Sequence, residues 1–134
     1  MNVPAMAGKF DMQWIVILGV VAAVAVLLAF KQAGSISDET ARDYLRQGAK
    51  VIDVRSVEEY RERHLPNTLN IPLDELEQRI GKELPEKSAV LLLHCLSGGR
   101  SGAGAQLLKR LGYSKVFNLG SFSRAEKILG KGGK

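Results

Sequence analysis

The chain has 134 residues, a formal net charge of +5 and a single cysteine, which leaves room for one domain of about 100 residues whose core needs no cross-link. One cysteine excludes an internal disulfide and leaves a free thiol or an intermolecular partner, the former in keeping with a reducing compartment. The only histidines, His64 and His94, share no ligand spacing with each other or with Cys95, which argues against a zinc site or other metal cofactor, and no aromatic-interleaved basic patch points to nucleic acid.

A short head, residues 1–11, precedes an uncharged apolar run from Trp14 to Phe30, widened to nineteen residues by Met12 and Gln13 and bounded by Asp11 and Lys31. At about 1.5 Å per residue this reaches roughly 28 Å, close to a hydrocarbon core of about 30 Å. The run therefore predicts one transmembrane helix over residues 12–31. A cleaved signal peptide is the rival reading. Against it stand a head with Lys9 as its only cation, the length of the run, and Lys31 where a small residue is expected at a cleavage site. Lys31, Arg42, Arg46 and Lys50 follow the run, so the positive-inside rule places the domain on the cytoplasmic side of an inner membrane. The small residues Gly19, Ala23, Ala25 and Ala29 permit close helix approach, hence a homodimer or a membrane partner through this segment.

The folded domain is expected over residues 35–129, with a frayed tail at 130–134. Ser37-Asp-Glu-Thr opens a helix that Gly48 ends. Val51–Val54 is a short buried strand and Val57–Arg63 a charged helix. Pro66 and Asn67 force a turn before a strand near Leu69–Ile71, and Pro72 opens a helix over Leu73–Ile80 that Gly81 closes. Ala89–Leu93 is the most apolar strand and so the central one. Ser101–Arg110 reads as an amphipathic helix, Val116–Phe117 as a last strand and Phe122–Leu129 as a closing helix. Alternating strands and helices give the α/β class, a parallel sheet flanked by helices on both faces, with sites beyond the carboxyl ends of the strands.

Cys95 lies at such an end, and Leu96, Ser97, Gly98, Gly99, Arg100 and Ser101 follow it before the next helix. A strand that stops at a cysteine, a glycine-bearing turn that aims N–H groups inward, and a helix N-terminus together make a cradle for an anionic sulfur. Cys95 should favour its thiolate. Its bland alternative is a small buried hydrophobe at a strand end. Arg100 either attracts an anionic donor or only ties the loop to a carboxylate. Ser101 is a helix cap or a partner of the sulfur, and Asp53 and Arg55 form a buried pair that supports the rim. His94 faces away from Cys95 because adjacent strand residues point to opposite sides.

The loop Cys95-Leu-Ser-Gly-Gly-Arg-Ser101 resembles the active-site loop of the rhodanese-like sulfurtransferase family. Val51-Ile-Asp-Val-Arg55, Glu58-Glu-Tyr60 and His64-Leu-Pro-Asn-Thr-Leu-Asn-Ile-Pro72 are similar to the family's other signature segment. The resemblance implies a rhodanese-like fold and a sulfurtransferase of the thiosulfate type. Cys95 would carry a persulfide, taking sulfur from thiosulfate or a persulfide and passing it to a thiol or cyanide, with no bound cofactor. It also implies that His64 is a structural residue. Two departures stand out: Asn67-Thr68 where Gly-Ala is usual, and Gly120-Ser-Phe-Ser-Arg124 where a glycine pair and later a tryptophan are usual.

Two other functions fit parts of the pattern. A cysteine phosphatase or arsenate reductase of the same fold would need a wider loop, with one more residue between cysteine and arginine. A non-catalytic rhodanese-like binding module for a membrane partner would leave Cys95 free of sulfur.

Overall fold

The structure, a computed structural model, describes residues 11–32 and 35–130, with side chains of the first stretch as far as Leu28. The head and tail expectations lie outside or at the margin of these residues. The chain divides into two units between Ala33 and Gly34.

The first unit holds α1 (Met12–Gln32). Among the described residues no helix is long and apolar enough to cross a membrane. The transmembrane helix expected over residues 12–31 is corrected accordingly. With it go the membrane anchor, the placement at an inner membrane, the membrane partner and the homodimer through that segment.

The second unit carries α2 (Asp38–Arg46), β1 (Lys50–Asp53), α3 (Val57–Glu62) and β2 (Thr68–Asn70). A 3-10 turn at Leu73–Glu75 then leads to α4 (Leu76–Glu83), β3 (Val90–His94), α5 (Gly99–Arg110), β4 (Lys115–Gly120) and α6 (Phe122–Leu129). The strands form one parallel sheet in the order β2-β1-β3-β4. Alternation along the strands builds two cores. Ile52, Leu91 and Leu93 pack with Leu76 of α4 and with Ala105 and Leu108 of α5 on one face, and Cys95 belongs to this core. Val51 and Leu92 pack with Ala41 of α2 and with Ala125 and Ile128 of α6 on the other. Gly104 lets α5 lie tight on β3, since a Cβ there would come within 2.9 Å of the Leu93 side chain.

Local chemistry explains where the elements start and stop. Ser37 caps α2 through the Thr40 N–H at 3.1 Å. Ser56 and Glu59 form a reciprocal capping box on α3. Gly81 does not close α4, which continues to Glu83 because Arg79 bonds both Glu75 and Glu83, each at 2.7 Å, one turn to either side. Asn67 takes a φ of 55°, a left-handed turn that asparagine tolerates better than most side chains. β4 runs longer than its apolar pair suggests. Its pairing with β3 slips by one residue at Leu93/His94, so His94 lies opposite Gly120 and the end of β4 reaches the turn after Cys95.

Candidate active site

The turn after β3 is stitched to the end of β4 along its length. The Cys95 N–H donates to the Gly120 carbonyl at 3.2 Å, and the Phe122 N–H donates to the Leu96 carbonyl at 3.1 Å. Ser97 bridges to Ser121. Gly98 then reverses the chain at a φ of 96°, where a Cβ would stand 3.3 Å from the Gly120 Cα, so no side chain fits this position without displacing backbone. α5 begins at the next residue. Its first-turn N–H groups have no intrahelical acceptor and point back toward the turn.

Cys95 Sγ is buried inside this turn and accepts three hydrogen bonds. They come from the Gly98 N–H at 3.0 Å, the Ser101 N–H at 3.4 Å and the Ser101 hydroxyl at 3.4 Å. Burial pushes the thiol pKa up. The donors outweigh it, the Ser101 hydroxyl most, then the N–H groups of Ser101, Gly98 and Ser97, so the thiol sits below its ordinary value.

Asn118, on β4, holds the cradle together. Its Oδ1 accepts from the Ser101 hydroxyl at 2.7 Å and from the Gly120 N–H at 2.8 Å, while its Nδ2 donates to the Gly98 carbonyl at 3.1 Å. One side chain thus joins the turn, the start of α5 and the end of β4. Ser101 has a single hydroxyl proton, shared between Asn118 Oδ1 and the more distant Sγ, so a charged sulfur can draw it without moving a heavy atom.

Arg100 does not stand free in the turn. It makes a two-pronged pair with Glu59 of α3, Nη1 to Oε1 at 2.7 Å and Nη2 to Oε2 at 3.1 Å. The Arg100 hydrogen bond, with help from the Ser56 backbone, overcomes burial and holds the Glu59 pKa down to about 2. Arg100 is raised in turn, chiefly by Glu59. Asp53 and Arg55 form the second pair, fully buried: Nε to Oδ1 at 3.0 Å, Nη2 to Oδ2 at 2.8 Å, and the Arg55 N–H to Oδ1 at 2.9 Å. Arg55 also donates to the Arg63 carbonyl at 2.7 Å and lies 4.6 Å over the Phe122 ring.

The histidines are both away from the sulfur. His94 points to the opposite side of the sheet, edge-on to Phe122, with Nε2 3.7 Å from Asp53 Oδ2. His64 stacks on Tyr60 with ring centroids 4.1 Å apart and lies 3.0 Å, through Nδ1, from the Tyr60 carbonyl.

The structure therefore gathers Cys95, Gly98 and Ser101 around the sulfur, places Leu96 at the surface, and engages Arg100, Asp53 and Arg55 in ion pairs. The pairing of Glu59 with Arg100 and the role of Asn118 escape the sequence reading. A capping box marks Glu59 as a helix-start residue but not as the partner of Arg100, and nothing local marks Asn118. Beside the Arg100 edge of the turn a cavity of about 520 Å³ opens, lined by Val54, Val57, Leu73, Glu58 and Asp74 among others.

Residues 37–126 match the rhodanese-like domain family. The thiosulfate sulfurtransferase PspE of Escherichia coli (strain K12) is 38% identical over 69 residues, a match covering 52% of this chain and 66% of that protein. The human single-domain sulfurtransferase TSTD1 is 30% identical with a TM-score of 0.62, covering 70% of this chain and 96% of that structure. A structure described as a rhodanese with anions, from E. coli, is 34% identical with a TM-score of 0.55, covering 57% of this chain and 91% of that one. The chain belongs to the rhodanese-like domain family, and this kinship supports transferase chemistry in general terms.

Proposed function

We propose that the protein is a sulfurtransferase that carries sulfane sulfur as a persulfide on Cys95, with thiosulfate among the donors it accepts. The supporting observation is the buried Sγ, held by three donors in a turn that also opens the first N–H groups of α5 toward it. Thiosulfate as donor rests on the likeness to relatives such as the thiosulfate sulfurtransferase PspE.

The thiolate attacks the outer sulfur of the donor. With thiosulfate the S–S bond breaks toward sulfite, which leaves with the bonding pair, and Cys95 becomes Cys95–S–S⁻. An acceptor thiolate then attacks the terminal sulfur and leaves as a persulfide, or cyanide leaves as thiocyanate, and the Cys95 thiolate returns. The terminal sulfur bears the charge in the intermediate, and preorganised N–H donors of the turn offset it, each worth a few kcal/mol where water is excluded. Ser101 and Asn118 hold those donors in place, Gly98 supplies one of them and the bend, and the Arg100–Glu59 pair fixes the start of α5.

The test is thiosulfate-to-cyanide transfer by wild type and by Cys95→Ser. The wild type should form thiocyanate and the variant none above background, with unchanged circular dichroism. Transfer retained by Cys95→Ser would overturn the proposal.

A further inference from the structure

The mouth of the turn is poor in free positive charge. The arginines around the turn are each closed on a carboxylate, Arg100 on Glu59, Arg63 on Glu126 and Arg124 on Asp38. Leu96 follows the nucleophile directly. Among the described residues of the domain it is the one large apolar side chain left in the open, at 59% exposure. The cavity along the Arg100 edge carries Val54, Val57 and Leu73 beside Glu58 and Asp74, and neither of these carboxylates has an ion-pair partner among the described residues. A donor that reaches Cys95 past Leu96 has apolar surface beside it, and one that extends along the Arg100 edge has these carboxylates beside it.

We infer that Leu96 and the closed Arg100–Glu59 pair set the choice of donor, so that Cys95 takes sulfur from an organic persulfide with an uncharged or cationic carrier in preference to the thiosulfate dianion. The inference rests on the persulfide chemistry proposed above and narrows its substrate. The apolar carrier covers Leu96, which stays wet when thiosulfate occupies the mouth. The dianion, by contrast, approaches unpaired carboxylates with no free guanidinium to offset them. The step balances without an oxidant: the Cys95 thiolate attacks the outer sulfur of R–S–SH, the S–S bond breaks, R–S⁻ leaves and takes up the proton, and Cys95–S–S⁻ remains.

The experiment measures kcat/KM with four donors: cysteamine persulfide (cationic), mercaptoethanol persulfide (neutral), mercaptoacetate persulfide (anionic) and thiosulfate. At low salt cysteamine persulfide should exceed mercaptoacetate persulfide by about tenfold. The gap should narrow as the Debye length falls from about 30 Å at 0.01 M to about 10 Å at 0.1 M. Leu96→Lys places a cation at the mouth and should raise the thiosulfate value about tenfold while lowering that of cysteamine persulfide. Leu96→Gln separates loss of apolar contact from gain of charge: it should weaken the neutral persulfide without improving thiosulfate. Intact mass is followed in parallel. If no donor adds a sulfur to Cys95, the proposed function itself fails. If sulfur is added but the persulfides show no charge order, or thiosulfate gains nothing from Leu96→Lys, the function stands and this inference is overturned.

Discussion

His94 and Cys95 leave the same strand one after the other, and both are fully buried, but they face opposite sides of the sheet and meet opposite surroundings. On the Cys95 side, two backbone N–H groups and a hydroxyl converge on the sulfur. On the His94 side neither ring nitrogen has a hydrogen-bond partner among the described residues, and the nearest charge, Asp53, is already committed to Arg55. Burial favours the uncharged form of both groups, raising a thiol and lowering an imidazole. For His94 burial wins over the attraction of Asp53, and its pKa is lowered. For Cys95 the donors win. Burial at a strand end does not by itself make a reactive group; the donors brought to it decide.

The largest expected effect breaks the His94 side. Asp53→Ala leaves the Arg55 guanidinium buried without its carboxylate and should cost about 3–5 kcal/mol in urea denaturation. Sulfur transfer per folded molecule should change little. A cost below about 1 kcal/mol would mean that water or another group compensates Arg55 and that the pair does not hold the His94 side of the sheet.

Next comes the Cys95 side. Ser101→Ala removes the donor that lowers the thiol pKa most, so the acid limb of the pH–rate profile should move to higher pH. Sulfur uptake at neutral pH should fall about 10- to 100-fold, the span of one hydrogen bond to a charged group, and recover as pH rises. A uniform loss across the profile would make Ser101 a packing residue only.

The smallest effect sharpens the contrast between the two ion pairs. Arg100 and Glu59 are 39% and 32% exposed, so solvent screening limits Glu59→Gln to about 1 kcal/mol or less. The sign follows from the lowered pKa. Stability from this pair is present above the ordinary value of 4.5 and is lost as pH falls toward about 2, so the gap between wild type and Glu59→Gln should close over that interval. A gap that persists at pH 2 would assign the loss to the capping box instead.

Local sequence made the turn around Cys95 legible because its parts are consecutive: a strand end, glycines, a helix start. The same holds for the order of strands and helices, which short apolar runs and caps announce. Partners from distant segments were not legible. Glu59 lies 41 positions from Arg100, and Asn118 lies 17 from Ser101. Which carboxylate neutralises Arg100, and which amide steadies Ser101, depends on how α3 and β4 are laid beside the turn. The Asp53–Arg55 pair was readable because it spans two positions. Gly81 misled because side-chain pairs through Arg79 carry α4 past it. In the first unit, hydropathy alone suggested a membrane span that the described residues do not provide.

The most direct measurement is the intact mass of the protein after excess thiosulfate or cysteamine persulfide. The expected result is a gain of one sulfur on the wild type, removed by cyanide with release of thiocyanate, and no gain on Cys95→Ser. A wild type whose mass is unchanged by both donors, or a Cys95→Ser variant that still gains the sulfur, would contradict a persulfide on Cys95.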